Sequence, residues 1–137
     1  MVKELVHDAT LLNVKSEDAT KDDIEVIKDL KDTLEAHKEE CVGLAANMIG
    51  VNKRIIIVNM GMANVIMINP KITKRLKPYQ GEEACLSLLG GPRTALRFEE
   101  IDVEYLDENF EPKKGTFKQF VAQIIQHEVD HCNGVLI

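Results

Sequence analysis

The chain has 137 residues with 17 basic and 23 acidic side chains, a formal net charge of −6 at pH 7. Apolar residues make up 45% of the sequence and charged residues 29%, which is typical of a folded globular chain rather than a disordered one. At about 150 residues per domain, this length predicts one domain over residues 1–137. The acidic balance argues against nucleic acid or an anionic membrane as the main partner, because a negative surface offers neither of them counter-charge.

The cysteine content and the N-terminus both indicate a cytoplasmic protein. An odd, low number of cysteines (Cys41, Cys85 and Cys132) predicts reduced thiols. The first ten residues contain no apolar targeting region. The longest apolar run, residues 55–58, is too short to span a bilayer.

The first predicted element is a helix over residues 22–40. Thr20 and Asp23 have the spacing of a capping box, and apolar residues recur after them at helical intervals. The next segment, residues 43–50, is bracketed by glycines and has small residues at its centre. It therefore predicts a close approach of the backbone to the core or to a ligand.

Several strands are predicted between this segment and a second helix. Residues 54–60 and 64–69 form a predicted hairpin around a turn at 61–63. Pro70 and Pro78 are read as breaks, 84–88 as a short buried strand, 90–92 as a turn and 101–106 as a half-buried strand. Thr116 is expected to cap the second helix, which Gly134 ends. This order predicts an α+β fold with mostly antiparallel sheets.

The strongest chemical signal is QHEVDH, residues 126–131, inside the predicted second helix. His127 and His131 are four residues apart, so both imidazoles project from one helix face and can hold a single metal ion. Glu128 lies beside the first of them, where its carboxylate can take a proton from a water bound to the metal. The alternative interpretation is that these three residues are ordinary polar residues on an exposed helix face. It is disfavoured because the apolar neighbours predict a buried helix, where imidazoles need partners.

A hydrolytic metal site takes three protein ligands and leaves one position open for water. No His, Asp or Glu follows His131, so the third ligand is expected upstream. Cys85 is the strongest candidate, because its thiolate would complete a Cys/His/His set, and Cys41 is the second. His7 and His37 carry little weight.

Three segments, taken in order, resemble the peptide deformylase family. That family has G-x-G-L-A-A-x-Q, then E-G-C-L-S, then Q-H-E-x-D-H. This chain has CVGLAANM, EACLS and QHEVDH. The resemblance extends over essentially the whole chain and implies mostly antiparallel sheets packed around a metal-binding C-terminal helix, with a second helix near the N-terminus.

The resemblance implies removal of the N-formyl group from the initiator methionine of nascent peptides, with release of formate. Cys85, His127 and His131 would bind one divalent metal ion per chain. Fe²⁺ is the expected ion, with Zn²⁺, Ni²⁺ or Co²⁺ as substitutes. Glu128 would be the general acid and base, and the backbone N–H of Leu86 would donate to the oxyanion.

The resemblance also implies a set of substrate-binding and supporting residues. Val42 and Gly43 would pair with the substrate backbone, and Phe120 and Ile124 would help to line the pocket for the methionine side chain. A further pair, Glu83 and Arg97, would brace the loop that holds the thiolate ligand.

The chain departs from the family pattern at its first motif. Met48 stands where the family has a glutamine whose amide polarises the formyl oxygen, and a thioether cannot donate a hydrogen bond. Asn47 or an ordered water is the expected replacement donor. Cys41 and Ala84 replace family glycines, so the substrate groove and the loop of Cys85 are expected to be reshaped.

Two alternatives remain beside an active deformylase. One is a diverged homologue that binds metal with weak or no activity, and the other is an amidase for another small N-acyl group. The expected partners are N-formylmethionyl peptides. The sequence ends at Ile137 without the C-terminal helix by which longer members dock on the ribosome, so we expect no docking by that route. We expect a monomer.

Overall fold

A computed structural model describes the backbone of residues 1–85 and 88–137, and the side chains of residues 1–83 and 93–137. The helices of this part of the chain are α1 (Ala9–Leu12), α2 (Ile24–Ala36) and α3 (Gln119–Cys132), with 3₁₀ turns at Lys21–Asp23 and Ala46–Ile49. The strands are β1 (Gly43–Ala45), β2 (Ile55–Asn59), β3 (Asn64–Cys85), β4 (Leu88–Leu106) and β5 (Pro112–Lys118).

The strands pair in sequence order as one antiparallel sheet, β1-β2-β3-β4-β5. β2 and β3 form the hairpin predicted around residues 61–63, closed by the Met60 N–H bonded to the Ala63 carbonyl at 2.9 Å. The short β1 lies at one edge of the sheet and pairs only with β2 among the described strands. One side of β1 therefore stays open to another extended chain.

Both main helices pack their apolar faces on the sheet. The capping box of Thr20 and Asp23 is present, and Ile27, Leu30 and Leu34 of α2 are buried. α3 buries Ile125 and Val129 against the apolar residues of β1 and β2. The fold is thus the predicted α+β arrangement, with the C-terminal helix carrying the histidine motif into the core.

Several predicted boundaries are wrong. α2 ends at Ala36 rather than at residue 40. Thr116 belongs to β5 and its hydroxyl donates to Asp102 Oδ1 at 2.6 Å, so it does not cap α3. Pairing with β4 supplied hydrogen bonds that a helix start would have lost, and tertiary contacts overrode the local signal.

Residues 64–85 and 88–106, for which the sequence predicts short strands and breaks, form the two long strands β3 and β4. Pro70 and Pro78 lie within β3, and the first falls in a shift of strand register between Ile68 and Lys71, where a missing N–H does least harm. The backbone of residues 90–92 continues β4 rather than turning. Of the strand predicted at 84–88, Cys85 is the last residue of β3 and pairs with Leu88, the first residue of β4, and residues 86–87 lie outside the described part of the chain. No helix among the described residues combines the length and apolar character needed to cross a membrane.

Candidate active site and metal centre

Helix α3 presents the histidine motif to the interior of the protein. His127, Glu128 and His131 are all buried, because the apolar residues around them fix that face of the helix against the sheet. The Nε2 atoms of the two imidazoles are 3.0 Å apart. One ligand atom from each of the three residues lies within 4.8 Å of the others, and within the described side chains this is the cluster able to hold a metal ion.

The three buried groups differ in their remaining hydrogen bonds. Oε1 of Glu128 and Nδ1 of His131 have no hydrogen-bond partner, although both are buried. Orphaned buried polar atoms are rare in folded proteins and commonly mark a missing ion or a catalytic role. Two imidazole nitrogens that converge beside an unpaired carboxylate oxygen fit a divalent metal with a water on it.

A buried ionic network supports His127 from behind. Its Nδ1 lies 2.7 Å from Glu83 Oε1, and both oxygens of Glu83 accept from the guanidinium of Arg97, at 2.6 and 2.7 Å. Arg97 also donates to Asp130 Oδ2 at 2.7 Å. The Glu83–Arg97 pair expected from the family is therefore formed, and it orients a histidine ring. Such an outer partner sets which ring nitrogen faces a metal.

Burial and neighbouring charges shift the pKa values of these groups. Burial raises the pKa of Glu128 to about 7, and His127 offsets part of that rise. Burial lowers the pKa of His131 to about 3, which leaves its imidazole neutral at pH 7 and able to act as a ligand. Burial alone would raise the pKa of Glu83, but its hydrogen bonds with His127 and Arg97 lower it to about 2.

Gly43 of β1 lies directly against Glu128, the candidate general acid and base. A Cβ atom at this position would stand 3.0 Å from Glu128 Oε2 and 2.8 Å from Ile124 Cγ2. No side chain fits in that space without moving its neighbours. The close approach expected from the glycine-bracketed segment is therefore a contact between the edge strand and α3.

A cavity of about 320 Å³ opens beside this cluster. It brings the edge strand, the start of α3 and the acidic end of β3 together. Its lining residues are Glu40, Cys41, Val42, Gly43, Met48, Glu82, Glu83, Phe120, Gln123, Ile124, His127 and Glu128. The substrate-binding residues expected from the sequence are among them with one exception, Asn47.

The side chains of Asn47 and Met48, where the first motif differs from the family pattern, point in different directions. Met48 lines the cavity, is 1% exposed, and its sulfur accepts the Ala45 N–H at 3.4 Å. Asn47 is buried behind the site, and its amide nitrogen donates to the His131 carbonyl at 2.9 Å. The expectation that Asn47 supplies a donor to the cavity is corrected, because a shift of one residue turned its side chain toward α3.

The remaining expected ligands have different outcomes. The side chain of Cys85 and all of Leu86 lie outside the described residues, so the thiolate ligand and the oxyanion N–H stay predictions. Cys41, the second thiol candidate, lines the cavity and its Sγ donates to the Gly43 carbonyl at 2.9 Å. His7 is exposed, and His37 bonds to Glu40 at the surface.

Three polar residues of α3 were not singled out from the sequence. Asp130 anchors Arg97, and Gln123 donates to Glu83 at 3.0 Å. Gln126 uses both ends of its amide on the backbone of Phe98, at 2.8 and 2.9 Å, and so ties α3 to β4. Asp130 and Gln126 belong to the QHEVDH motif, so a signal for them was present. Their partners on β4 could not be read from it.

Known proteins resemble this chain over its whole length. Residues 3–137 match the polypeptide deformylase family model. A peptide deformylase of Clostridium beijerinckii is 57% identical over 137 residues, which is all of both chains.

Solved structures agree with the sequence comparison. A peptide deformylase from Thermotoga maritima superposes with a TM-score of 0.90 at 27% identity, over 99% of this chain and 95% of that one. A class I type b peptide deformylase from Acinetobacter baumannii with bound Met-Ala-Ser gives a TM-score of 0.88 at 28% identity, over 99% and 96% of the two chains. Together with the buried His127–Glu128–His131 cluster, these matches show that the chain belongs to the polypeptide deformylase family, the metal-dependent hydrolases that remove the N-formyl group from nascent peptides.

Proposed function

We propose that this chain hydrolyses the N-formyl group of peptides that begin with methionine, using Glu128 as the general acid and base. The observation that carries this proposal is the position of Glu128: its Oε1 is buried without a partner, within reach of two convergent imidazole nitrogens and on the wall of a cavity. A carboxylate held in this way can take a proton from water and pass it to the leaving amine.

His127 and His131 would hold the metal, with Cys85 as the proposed third ligand. A thiolate and two imidazoles suit both Fe²⁺ and Zn²⁺, and we propose Fe²⁺, with Zn²⁺, Ni²⁺ or Co²⁺ as replacements. The bound ion would polarise the formyl carbonyl and lower the pKa of a water molecule. The Glu83–His127 hydrogen bond would keep the Nε2 of His127 directed toward that ion.

The edge strand would hold the peptide backbone of the substrate. The carbonyl of Val42 accepts the Asn59 N–H at 2.8 Å, so it is directed toward β2. The backbone N–H and carbonyl groups of successive strand residues point to opposite sides, so those of Gly43 face the open side of β1. We therefore assign backbone pairing to Gly43, with Val42 contributing its half-exposed side chain to the groove.

The methionine side chain would lie between Phe120 and Ile124. Both line the cavity, and Phe120 is 61% exposed, which gives a bound apolar side chain a large surface to cover. The Acinetobacter baumannii relative binds Met-Ala-Ser, a peptide that begins with methionine. This supports a methionine in the same position here.

Met48 favours a second candidate function. It places an apolar, buried side chain on the cavity wall where an amide would polarise the formyl oxygen. An apolar lining of this kind suits an amidase for a slightly larger N-acyl group, such as acetyl. Formyl and acetyl peptides of identical sequence distinguish the two functions.

The test is formate release from a formyl-methionyl tripeptide by protein purified without oxygen and loaded with Fe²⁺, Co²⁺, Ni²⁺ or Zn²⁺ in parallel. We expect turnover that Glu128→Gln lowers by about 10² to 10⁴-fold, with metal still bound, since general acid–base catalysis contributes about that much. Glu39→Gln, an exposed acid that does not line the cavity, is the matched control and should retain full activity. Formate release at the same rate from both variants would overturn the assignment of Glu128.

Two further properties are proposals that this experiment does not address. We propose that the protein works in the cytoplasm and as a monomer. Size-exclusion chromatography with light scattering tests the monomer.

A further inference from the structure

Cys41 lies just before the edge strand β1, at a position where the family pattern has a glycine. The strand begins two residues later, at Gly43, and both residues line the cavity of the proposed active site. A glycine has no side chain, so it would leave this part of the strand edge uncovered. The cysteine adds a half-buried thiol, which is a weak hydrogen-bond donor, to the wall of the cavity.

The thiol is bonded to the carbonyl group that a bound peptide would need. Cys41 Sγ donates to the Gly43 carbonyl at 2.9 Å. That carbonyl lies on the open side of β1, because the preceding carbonyl, that of Val42, accepts the Asn59 N–H of β2 at 2.8 Å. A peptide that pairs with β1 as an additional strand donates its own N–H to the same open side. The thiol and the peptide therefore meet at one acceptor.

A ligand in this cavity is indicated independently of the thiol. Glu128 lines the cavity, and its Oε1 is buried without a hydrogen-bond partner. Gly43 lies against the same carboxylate, since a Cβ atom on Gly43 would stand 3.0 Å from Glu128 Oε2. The strand edge that Cys41 covers is thus beside the group that would act on a peptide, and not on a remote surface.

We propose that the Cys41 thiol is a gate on the peptide-binding edge of β1 and sets how tightly this chain binds its substrate. In the free protein the thiol occupies the Gly43 carbonyl. A peptide must break that hydrogen bond and move the sulfur aside before it can pair with the strand. Because this exchange accompanies binding and does not involve Glu128, it raises KM and leaves kcat unchanged. The inference rests on the proposed function, since the gate acts on the peptide that the site would hydrolyse.

Cys41→Ala and Cys41→Ser test this gate in opposite directions. The ligand is Met-Ala-Ser, the peptide that the Acinetobacter baumannii relative binds, and calorimetry on the Zn²⁺-loaded protein gives its Kd. Alanine removes the donor and should lower the Kd about 2- to 10-fold, the usual net contribution of one hydrogen bond. Serine supplies a stronger donor than a thiol and should raise the Kd. A merely structural effect of losing the sulfur would move both variants in the same direction.

The kinetic readout is the division of the effect between KM and kcat. With a formyl-methionyl tripeptide, both variants should change KM in the same direction as Kd and keep the wild-type kcat. Thr73→Ala is the matched control, because the Thr73 hydroxyl of β3 also donates to a backbone carbonyl, that of Asp102 at 3.4 Å, but does not line the cavity. Its Kd and KM should equal those of the wild type.

Infrared spectroscopy observes the thiol directly and needs no turnover. The chain has three cysteines, and the difference between the wild-type and Cys41→Ala spectra isolates the S–H stretch of Cys41. We expect the lowered frequency of a thiol bonded to a carbonyl, and a rise in that frequency when Met-Ala-Ser binds. A band that bound peptide leaves unchanged would overturn the gate.

The binding data distinguish failure of the gate from failure of the proposed function. An equal Kd in the wild type, Cys41→Ala and Cys41→Ser would overturn the gate and leave the proposed function intact. Peptide binding by none of the three proteins would remove the proposed function, and the gate with it.

Discussion

Glu83 Oε1 lies 2.7 Å from Nδ1 of His127, and the same carboxylate receives two hydrogen bonds from Arg97. One buried acid therefore joins a strand of the sheet to the ring that would bind the metal. This link makes the stability of the fold and the geometry of the site depend on the same residue.

Glu83→Gln should lower both stability and metal affinity. It leaves the buried guanidinium of Arg97 with only the partly exposed Asp130 as a charged partner, and breaking a buried ion pair typically costs about 3 to 5 kcal/mol. Urea unfolding measures the first effect. Chelator competition measures the second, expected to be about tenfold. Glu99→Gln, on the exposed side of β4, should change neither. A stable variant with weaker metal binding would mean that the ion pair contributes orientation only.

Gly43→Ala should damage catalysis and the fold together. The added Cβ would lie 2.8 Å from Ile124 and 3.0 Å from the Glu128 carboxylate, so one of them must move, at a cost of about 1 to 3 kcal/mol. We expect kcat/KM to fall at least about tenfold, because an ångström of misplacement can cost more than that.

Gly61→Ala separates those two effects. Gly61 has φ +91° and nothing near its Cβ, so alanine there strains a distant turn by about 1 to 2 kcal/mol without touching the cavity. Its kinetics should match the wild type. Unchanged kinetics in Gly43→Ala as well would show that Glu128 tolerates the displacement.

Met48→Gln should accelerate formate release. The Met48 sulfur already accepts the Ala45 N–H, so a glutamine oxygen can take that bond and leave its amide nitrogen for the cavity. Restoring one oxyanion donor can raise kcat by up to about 10² to 10³-fold, judged from the cost of removing one. Met48→Leu, without a donor, should not gain. A Met48→Gln protein no faster than the wild type would indicate that another group already supplies this donor.

Metal removal should lower the melting temperature reversibly. An ion that binds only the folded protein, at 100 times its Kd, stabilises it by about 2.7 kcal/mol. Chelation should remove this increment and added Zn²⁺ should restore it, as calorimetry would show. His131→Gln should abolish the response, whereas His37→Gln, on the surface, should retain it. A metal response that survives in His131→Gln would remove that residue from the ligand set.

Local patterns determined much of the fold. The capping box of Thr20 and Asp23 and the hairpin turn at 61–63 depend on residues close in sequence, and both are present. The i, i+4 spacing of His127 and His131 on an apolar helix face was likewise sufficient to bring their rings together.

Long-range pairing decided what those patterns could not. Thr116 has the local chemistry of a helix cap, yet Asp102 of β4 takes its hydroxyl into the sheet. Asn47 and Met48 are adjacent in a motif, and only the packing of their turn against α3 sent the amide to the His131 carbonyl and the thioether to the cavity. A side chain's direction at such positions depends on which distant backbone group is left needing a partner, because a buried polar atom that finds none is costly. That requirement is set across the fold and not by residues near in sequence.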